Sequence, residues 1–236
     1  MDSITSRYKT IYDEVNYLAN KRSWQDGKIK LIVVTKKKNI EDCLEVVEAG
    51  ATNLGENYAD EAVEKFRNEI HRGVCVHMIG HLQSRKVKLL YPLFSSIQTL
   101  DSLEIAEKIN RHFGSMGKSI DALIELNLSD QDGKSGFTLH TPLEETEFTR
   151  TFQKILNLPS IKLKGLMTMG DFPLHVETNR YIFKRMKSIL IDLQDKHKLD
   201  DFNELSMGTS GDYQTAIEEG ATMVRIGEKI MGNRKG

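Results

Sequence analysis

The chain has 236 residues, 39% of them hydrophobic, with 33 Lys and Arg against 34 Asp and Glu and a net charge of −1. That apolar content can build a sizeable core, which excludes wholesale disorder. The balanced charge gives no global attraction to a polyanion, so nucleic acid is not expected as a partner. The N-terminal stretch is polar, the longest apolar run is the four residues Leu31–Val34, and Cys43 and Cys75 are the only cysteines. A secretion signal, a membrane span, a disulfide framework and a metal site are therefore not expected, and a cytoplasmic protein is.

Ile4, Tyr8, Ile11, Tyr12, Val15, Leu18 and Ala19 recur at helical spacing and predict an amphipathic helix over residues 3–21. After it, short β-rich runs alternate with helical patterns. The runs are Lys30–Thr35, Thr52–Gly55, Val74–Ile79, Ser96–Leu100, Ala122–Leu128, Lys162–Met167, Glu204–Ser206 and Met223–Ile226. The intervening helices are expected near 39–49, 58–70, 83–90, 102–113, 143–156, 175–196, 211–219 and 227–232. Cys43 falls among Leu44, Val46 and Val47 and reads as a packing residue. Asp101 is expected to cap the helix that follows it, with Glu104 completing a box. Gly50 and Gly220 end helices in the phrases EAGAT and EEGAT, a shared turn chemistry.

Eight βα units behind one extra helix predict a TIM (β/α)8 barrel that fills residues 1–236 as a single domain. A doubly wound sheet usually carries a Gly-rich turn after its first strand, and Thr35-Lys36-Lys37-Lys38 holds no glycine. In a barrel, function sits at the C-terminal strand ends. Those ends bring up Lys36, Asn57, His81, Asp101, Ser129, Thr168, Ser206 and Arg225. A lysine amine held away from water loses its proton more readily and can attack a carbonyl to form a Schiff base. The sequence leaves open which of Lys36, Lys37 and Lys38 faces inward.

The phosphate candidate is LSMGTSGD at 205–212 together with RIG at 225–227. Ser206 and Ser210 offer hydroxyls, the glycines permit close backbone approach, and a helix start at Ser210 or Gly211 would aim amides at an anion. Loops after the seventh and eighth barrel strands are where phosphate commonly binds. DGKSGF (132–137) and GLMTMG (165–170) read as loops over the mouth, with Met167 and Met169 as core or wall. HFGSMGKS at 112–119 is set aside as a P-loop, because it lacks the first glycine and runs from helix to strand.

NLGENY, HMIGHLQSRK, KSGF, GLMTMG, LSMGTSGD and MVRIG follow one another in this order. The set resembles the pyridoxal phosphate homeostasis protein family, single-barrel proteins similar to the barrel domain of fold-type III enzymes such as alanine racemase. The resemblance covers residues 30–233. It implies that Lys36 forms a lysine aldimine with pyridoxal 5′-phosphate. It further implies that Ser206, Ser210 and the Gly227 amide meet the phosphate, that Arg225 faces the pyridine nitrogen, and that Asn57 and His81 line the pocket. Thr35 and Thr209 depart from the family's usual Ser and Met, both conservatively.

Arg is always charged and only donates, so at the ring nitrogen it would keep the cofactor a weak electron sink. The expected function is therefore non-catalytic: a binder acting in intracellular pyridoxal phosphate homeostasis, expected to be a monomer, with apo-enzymes that use the cofactor as implied acceptors. The alternative is an amino-acid racemase. It needs a base on each face of the substrate carbon. Alanine racemase supplies the second as a Tyr from a partner subunit and adds a C-terminal β domain, for which this length leaves no room. A Schiff-base aldolase would need its lysine at the far end of the sixth strand, whereas Lys162 and Lys164 stand at the start.

Overall fold

The computed structural model describes residues 3–21, 28–67, 73–129, 135–171 and 176–232. The eight expected barrel strands are present as β1 (Lys30–Val34), β2 (Asn53–Glu56), β3 (Cys75–Met78), β4 (Phe94–Leu100), β5 (Ile120–Asn127), β7 (Ile161–Thr168), β8 (Glu204–Ser206) and β9 (Met223–Ile226). They pair in parallel in that order, and β9 closes on β1 through Lys30↔Met223 to Val33↔Ile226. The ninth strand, β6 (Phe137–Thr138), joins the C-terminal end of β5 at Leu126 and Asn127. This is the expected TIM barrel.

Strand parity sorts the side chains. Ile32, Leu123, Met167 and Met223 form a small apolar cluster inside the barrel. Their neighbours Leu31, Val33, Leu54, Val76, Ala122, Ile124, Leu166, Leu205 and Val224 face outward into the larger core shared with the helices. Those helices are α1 (Ile4–Asn20), α2 (Ile40–Glu48), α3 (Ala59–Phe66), α4 (Leu103–Gly114), α5 (Pro142–Leu156), α6 (Val176–His197), α7 (Tyr213–Glu218) and α8 (Glu228–Met231). The α1 face of Ile4, Tyr8, Ile11, Val15 and Ala19 is buried as its spacing predicts, against α2, α7 and α8. Cys43 is buried in the α2 packing face, and burial pushes its thiol up to about 12.

Four local expectations change. Asp101 does not cap α4; Ser102 does, its hydroxyl accepting from the Ile105 amide at 3.4 Å, while Asp101 turns to His81 and Glu104 pairs with Lys108. A full capping box stands instead at α5, where Thr141 and Glu144 satisfy each other's backbone amides around Pro142. The segment Ser84–Leu89 is a 3-10 helix rather than an α-helix. Gly165–Thr168 lie within β7, so GLMTMG is mostly strand, not loop. Asp132, Gly133 and Lys134, the ends expected for the helices at 58–70 and 175–196, and the polar tail at 233–236 lie outside the described residues.

The N-terminal end of the barrel interior is polar. His77 is bonded at Nδ1 to Ser96 Oγ (2.7 Å) and at Nε2 to Asn53 Oδ1 (3.0 Å). Burial, and then Lys30, push the imidazole down to about 4, with Glu204 opposing. A buried neutral His binds fewer protons than the unfolded chain, whose His titrates near 6.5. Its contribution is therefore complete above about pH 6.5 and is lost as pH falls toward 4, about 3 kcal/mol over the window. Urea unfolding of wild type and His77→Gln at pH 7 and pH 4.5 checks this. The stability gap between the two proteins shrinks at the lower pH.

Candidate functional site

Two adjoining clefts open at the C-terminal end of the barrel, with volumes of about 250 and 350 Å3. Both are lined by Val34, Lys36, Gly227 and Glu228. The inner one adds Asn57, Met169, Thr209, Ser210 and Arg225. Small-molecule sites commonly occupy about 300–1,000 Å3, so the pair is of the right size for one compact ligand.

Parity selects the lysine. Ile32 faces the interior, so Val34 and then Lys36 follow on the same side, while Val33 and Thr35 face the helices. Lys37 is exposed at φ 58°, with its backbone amide donating to Glu61 Oε1 at 2.6 Å. Lys38 turns away to the last turn of α8, where its Nζ donates to the carbonyls of Met231 and Gly232 at 2.8 and 3.2 Å. Lys36 alone of the three lines the inner cleft.

A buried charge network holds the backbone on both sides of Lys36. Lys65 Nζ donates to the Thr35 carbonyl (2.9 Å) and to Glu56 Oε1 (2.9 Å), and pairs with Glu61 (2.8 Å). The Thr35 hydroxyl donates to the same Glu56 oxygen at 2.6 Å. Glu56 is fully buried, and its other oxygen makes no hydrogen bond. Burial raises its pKa, with Lys65 and Thr35 opposing. The sequence reading missed this network, because it joins residues on three separate elements.

The phosphate-loop candidate is built around Asp212. Its Oδ1 accepts from the Thr209 amide (2.6 Å) and hydroxyl (3.0 Å), and its Oδ2 accepts from Asn179 Nδ2 (3.0 Å). Gly208 sits at φ +91°, where a Cβ would stand 2.5 Å from the Ala216 Cβ, so only glycine lets the loop turn this tightly. The helix starts at Tyr213, later than expected. Ser210, Gly211 and Gly227 donate no backbone hydrogen bond among the described residues, and Ser210 and Gly227 line the inner cleft.

Arg225 closes the inner wall. It is buried, and Nη1 donates to Ser206 Oγ at 2.7 Å while Nη2 donates to the Thr168 carbonyl at 2.9 Å and to Met169 Sδ at 3.0 Å. Burial lowers it to about 10, with Asp212 and Glu125 opposing, so it stays charged at neutral pH. The Ser206 hydroxyl donates to Gln98 Oε1 at 2.7 Å, and Gln98 Nε2 donates to Met223 Sδ at 3.4 Å. Ser206 is therefore fully buried beneath Arg225 and does not line the cleft. His81 is also displaced from the cleft wall: its ring is exposed at the rim, with Nδ1 2.8 Å from Asp101 Oδ2. Ser129 bonds Asn127 and Thr168 bonds the Leu126 carbonyl, so neither reaches the ligand space.

The structure thus brings together Lys36, Asn57, Ser210, Arg225 and Gly227. No cluster that could hold a metal ion occurs among the described residues. A nucleophilic amine, free backbone amides and a fixed guanidinium around one small cleft fit an anionic ligand that carries a carbonyl.

A sequence model of the alanine racemase N-terminal domain family matches residues 14–235. Curated relatives named pyridoxal phosphate homeostasis protein align along the full length. The one from Pasteurella multocida is 33% identical, covering 98% of each chain, and the one from Escherichia coli K12 is 31% identical, covering 99% of this chain and 98% of its own. The chain belongs to this family. The solved structure of PipY from Synechococcus elongatus PCC7942, with pyridoxal phosphate bound, superposes with a TM-score of 0.82 at 25% identity, covering 98% of this chain and all of PipY. The alanine racemase of Clostridium difficile 630 superposes at 0.73 with 17% identity over 57% of its own length, which shows the shared barrel.

The Lys65–Glu56 pair yields a stability prediction for this family member. Lys65→Met leaves Glu56 buried and unpaired and destabilises the fold by about 3–5 kcal/mol in urea unfolding. Lys65→Met combined with Glu56→Leu recovers most of that loss, because no orphaned charge remains.

Proposed function

We propose that this protein holds pyridoxal 5′-phosphate covalently through the Lys36 amine and serves its intracellular homeostasis without catalytic turnover of its own. The observation that carries the reading is the inward-facing Lys36 in a cleft bounded by the free amides at Ser210 and Gly227 and by the Arg225 guanidinium. When bound, the cofactor supplies an aldehyde and, at its ring, an electron sink. The residues divide the work. Lys36 would hold the aldehyde carbon through its amine, the carbonyl oxygen leaving as water. Ser210 and the amides of Ser210, Gly211 and Gly227 would take the phosphate. Asn57, Met169 and Arg225 would line the space for the ring, with Arg225 as the donor for its nitrogen.

A charged donor at that nitrogen opposes protonation of the ring and so weakens the electron sink. Arg225 cannot swing away, because Ser206, the Thr168 carbonyl and Met169 hold it. This limits carbanion chemistry and suits a carrier. Ser206 serves the same end by fixing Arg225, in place of the phosphate contact that the resemblance implies. His81 acts at the rim. We read the whole of residues 1–236 as one cofactor-binding barrel, acting as a monomer in the cytoplasm and passing the cofactor to apo-enzymes; among the described residues, no helix is long and apolar enough to cross a membrane.

Purified protein shows a visible absorption band from the Lys36 linkage, and Lys36→Ala lacks it. Steady racemisation of any common amino acid, abolished by Lys36→Ala, would overturn the non-catalytic reading. Arg225→Glu shifts the wavelength or the pH dependence of the band. An unchanged spectrum would remove Arg225 from the ring.

A further inference from the structure

Glu125 is the one charged residue in the buried run Ala122–Asn127 of β5. Leu123, two residues earlier, belongs to the apolar cluster inside the barrel, so parity turns Glu125 inward, one layer nearer the mouth. It is 7% exposed, and its Oε2 makes no hydrogen bond. Gly136 lies directly against it: at φ +110°, a Cβ there would stand 3.1 Å from Glu125 Cγ. The charged groups that act on the carboxyl are Asp101 at the end of β4, Arg225 on β9 and His81 after β3. The hydrogen bonds of Arg225 go to Ser206, Thr168 and Met169, and His81 is paired with Asp101. None of them reaches Glu125.

An enclosed carboxyl with an unused oxygen calls for an explanation; Glu56 has one in its bonds to Lys65 and Thr35, whereas Glu125 has no hydrogen-bonded partner among the described residues. In the eight-stranded ring, β5 stands four strands from β1 in either direction, so Glu125 and Lys36 rise from opposite sides of the barrel. Glu125 itself lines neither cleft, and its link to the inner one is Arg225, which lines that cleft and acts on the Glu125 carboxyl.

We propose that Glu125, backed by the Asp101–His81 pair, is a subsite for the ammonium group of a small primary amine that approaches Lys36. The proposal rests on the reading of Lys36 as the cofactor-bearing lysine, since an amine is the class of compound that competes with a lysine for an aldehyde. The Glu125 carboxyl is pushed up to about 7, by burial first and then by Asp101, with Arg225 and His81 opposing. It is therefore part protonated at neutral pH. A bound ammonium favours its charged form, so binding releases a proton, and affinity rises with pH through neutrality until the amine itself deprotonates.

The test uses cofactor-loaded protein carrying 13C at the glutamate side-chain carboxyls, with Glu125→Gln identifying the resonance. Ethylammonium chloride is titrated in against sodium chloride at equal ionic strength. The expected result is a saturable shift of the Glu125 signal with ethylammonium, a fall of its titration midpoint by about one unit, and binding about tenfold weaker in Glu125→Gln. Glu125→Gln keeps its fold and binds the cofactor, because it removes a carboxyl whose Oε2 makes no hydrogen bond. Asp101→Asn lowers the Glu125 midpoint and also weakens ethylammonium binding. No saturable shift, an equal shift with sodium, or unchanged affinity in Glu125→Gln overturns the subsite. A protein that shows the ethylammonium shift but carries no cofactor on Lys36 overturns the carrier reading and leaves the subsite standing.

Discussion

Lys65 reaches under the barrel rim with one ammonium group and ties down three things at once: the Thr35 carbonyl, Glu56 and Glu61. Glu61 in turn accepts from the Lys37 amide, so the backbone is fixed immediately before and after Lys36. A single lysine side chain has four rotatable carbons and would otherwise sample much of the cleft. With both flanking peptides held from the helix side, Lys36 is left to point into the barrel. The expense is a buried, partly unsatisfied carboxylate at Glu56. Such a pair is weak evidence for stability, since an apolar replacement of both partners is often neutral or better. What the pair contributes is geometry, by holding the backbone on both sides of Lys36.

A second chain of contacts fixes the opposite wall. Arg225 donates to Ser206, Ser206 to Gln98, and Gln98 to Met223. This line runs from the mouth into the apolar interior formed by Ile32, Leu123, Met167 and Met223. The interior is therefore a packed support for the site and not a channel. One wall presents a lysine anchored from outside the barrel, and the other presents an arginine anchored from within. Between them lie the amides after β8 and β9, where a dianion is best received.

Much of this was legible in the sequence, for reasons that differ by residue. The barrel was visible because eight β-rich runs alternate with helical spacing, and a strand buried on both faces leaves that signature in few other folds. Gly227, Ser210, Asn57 and Arg225 could be placed because strand ends in a barrel converge on one face. The residues alone left the choice among Lys36, Lys37 and Lys38 open, the resemblance implied Lys36, and the parity set by the inward-facing Ile32 puts Lys36 on the inner side. Ser206, which the resemblance assigns to the phosphate, is buried here, accepting from Arg225 and donating to Gln98, because a hydroxyl's direction is not written in a motif. Asp101 and Ser102 are both good caps, and only the pull of His81 on Asp101 decides between them. The Lys65–Glu56–Thr35 network needs two outward-facing strand positions and a helix to meet, which no local pattern encodes. Glu125 did leave a signal that was passed over, a lone carboxylate in the apolar run of β5.

The claim on which all of this converges is that Lys36, and neither of its two neighbours, carries the cofactor. Borohydride reduction of the pyridoxal phosphate-loaded protein fixes the linkage, and peptide mapping by mass spectrometry then locates it. The label is predicted on Lys36 alone. Label on Lys37, on Lys38 or on a lysine outside the cleft would contradict the account.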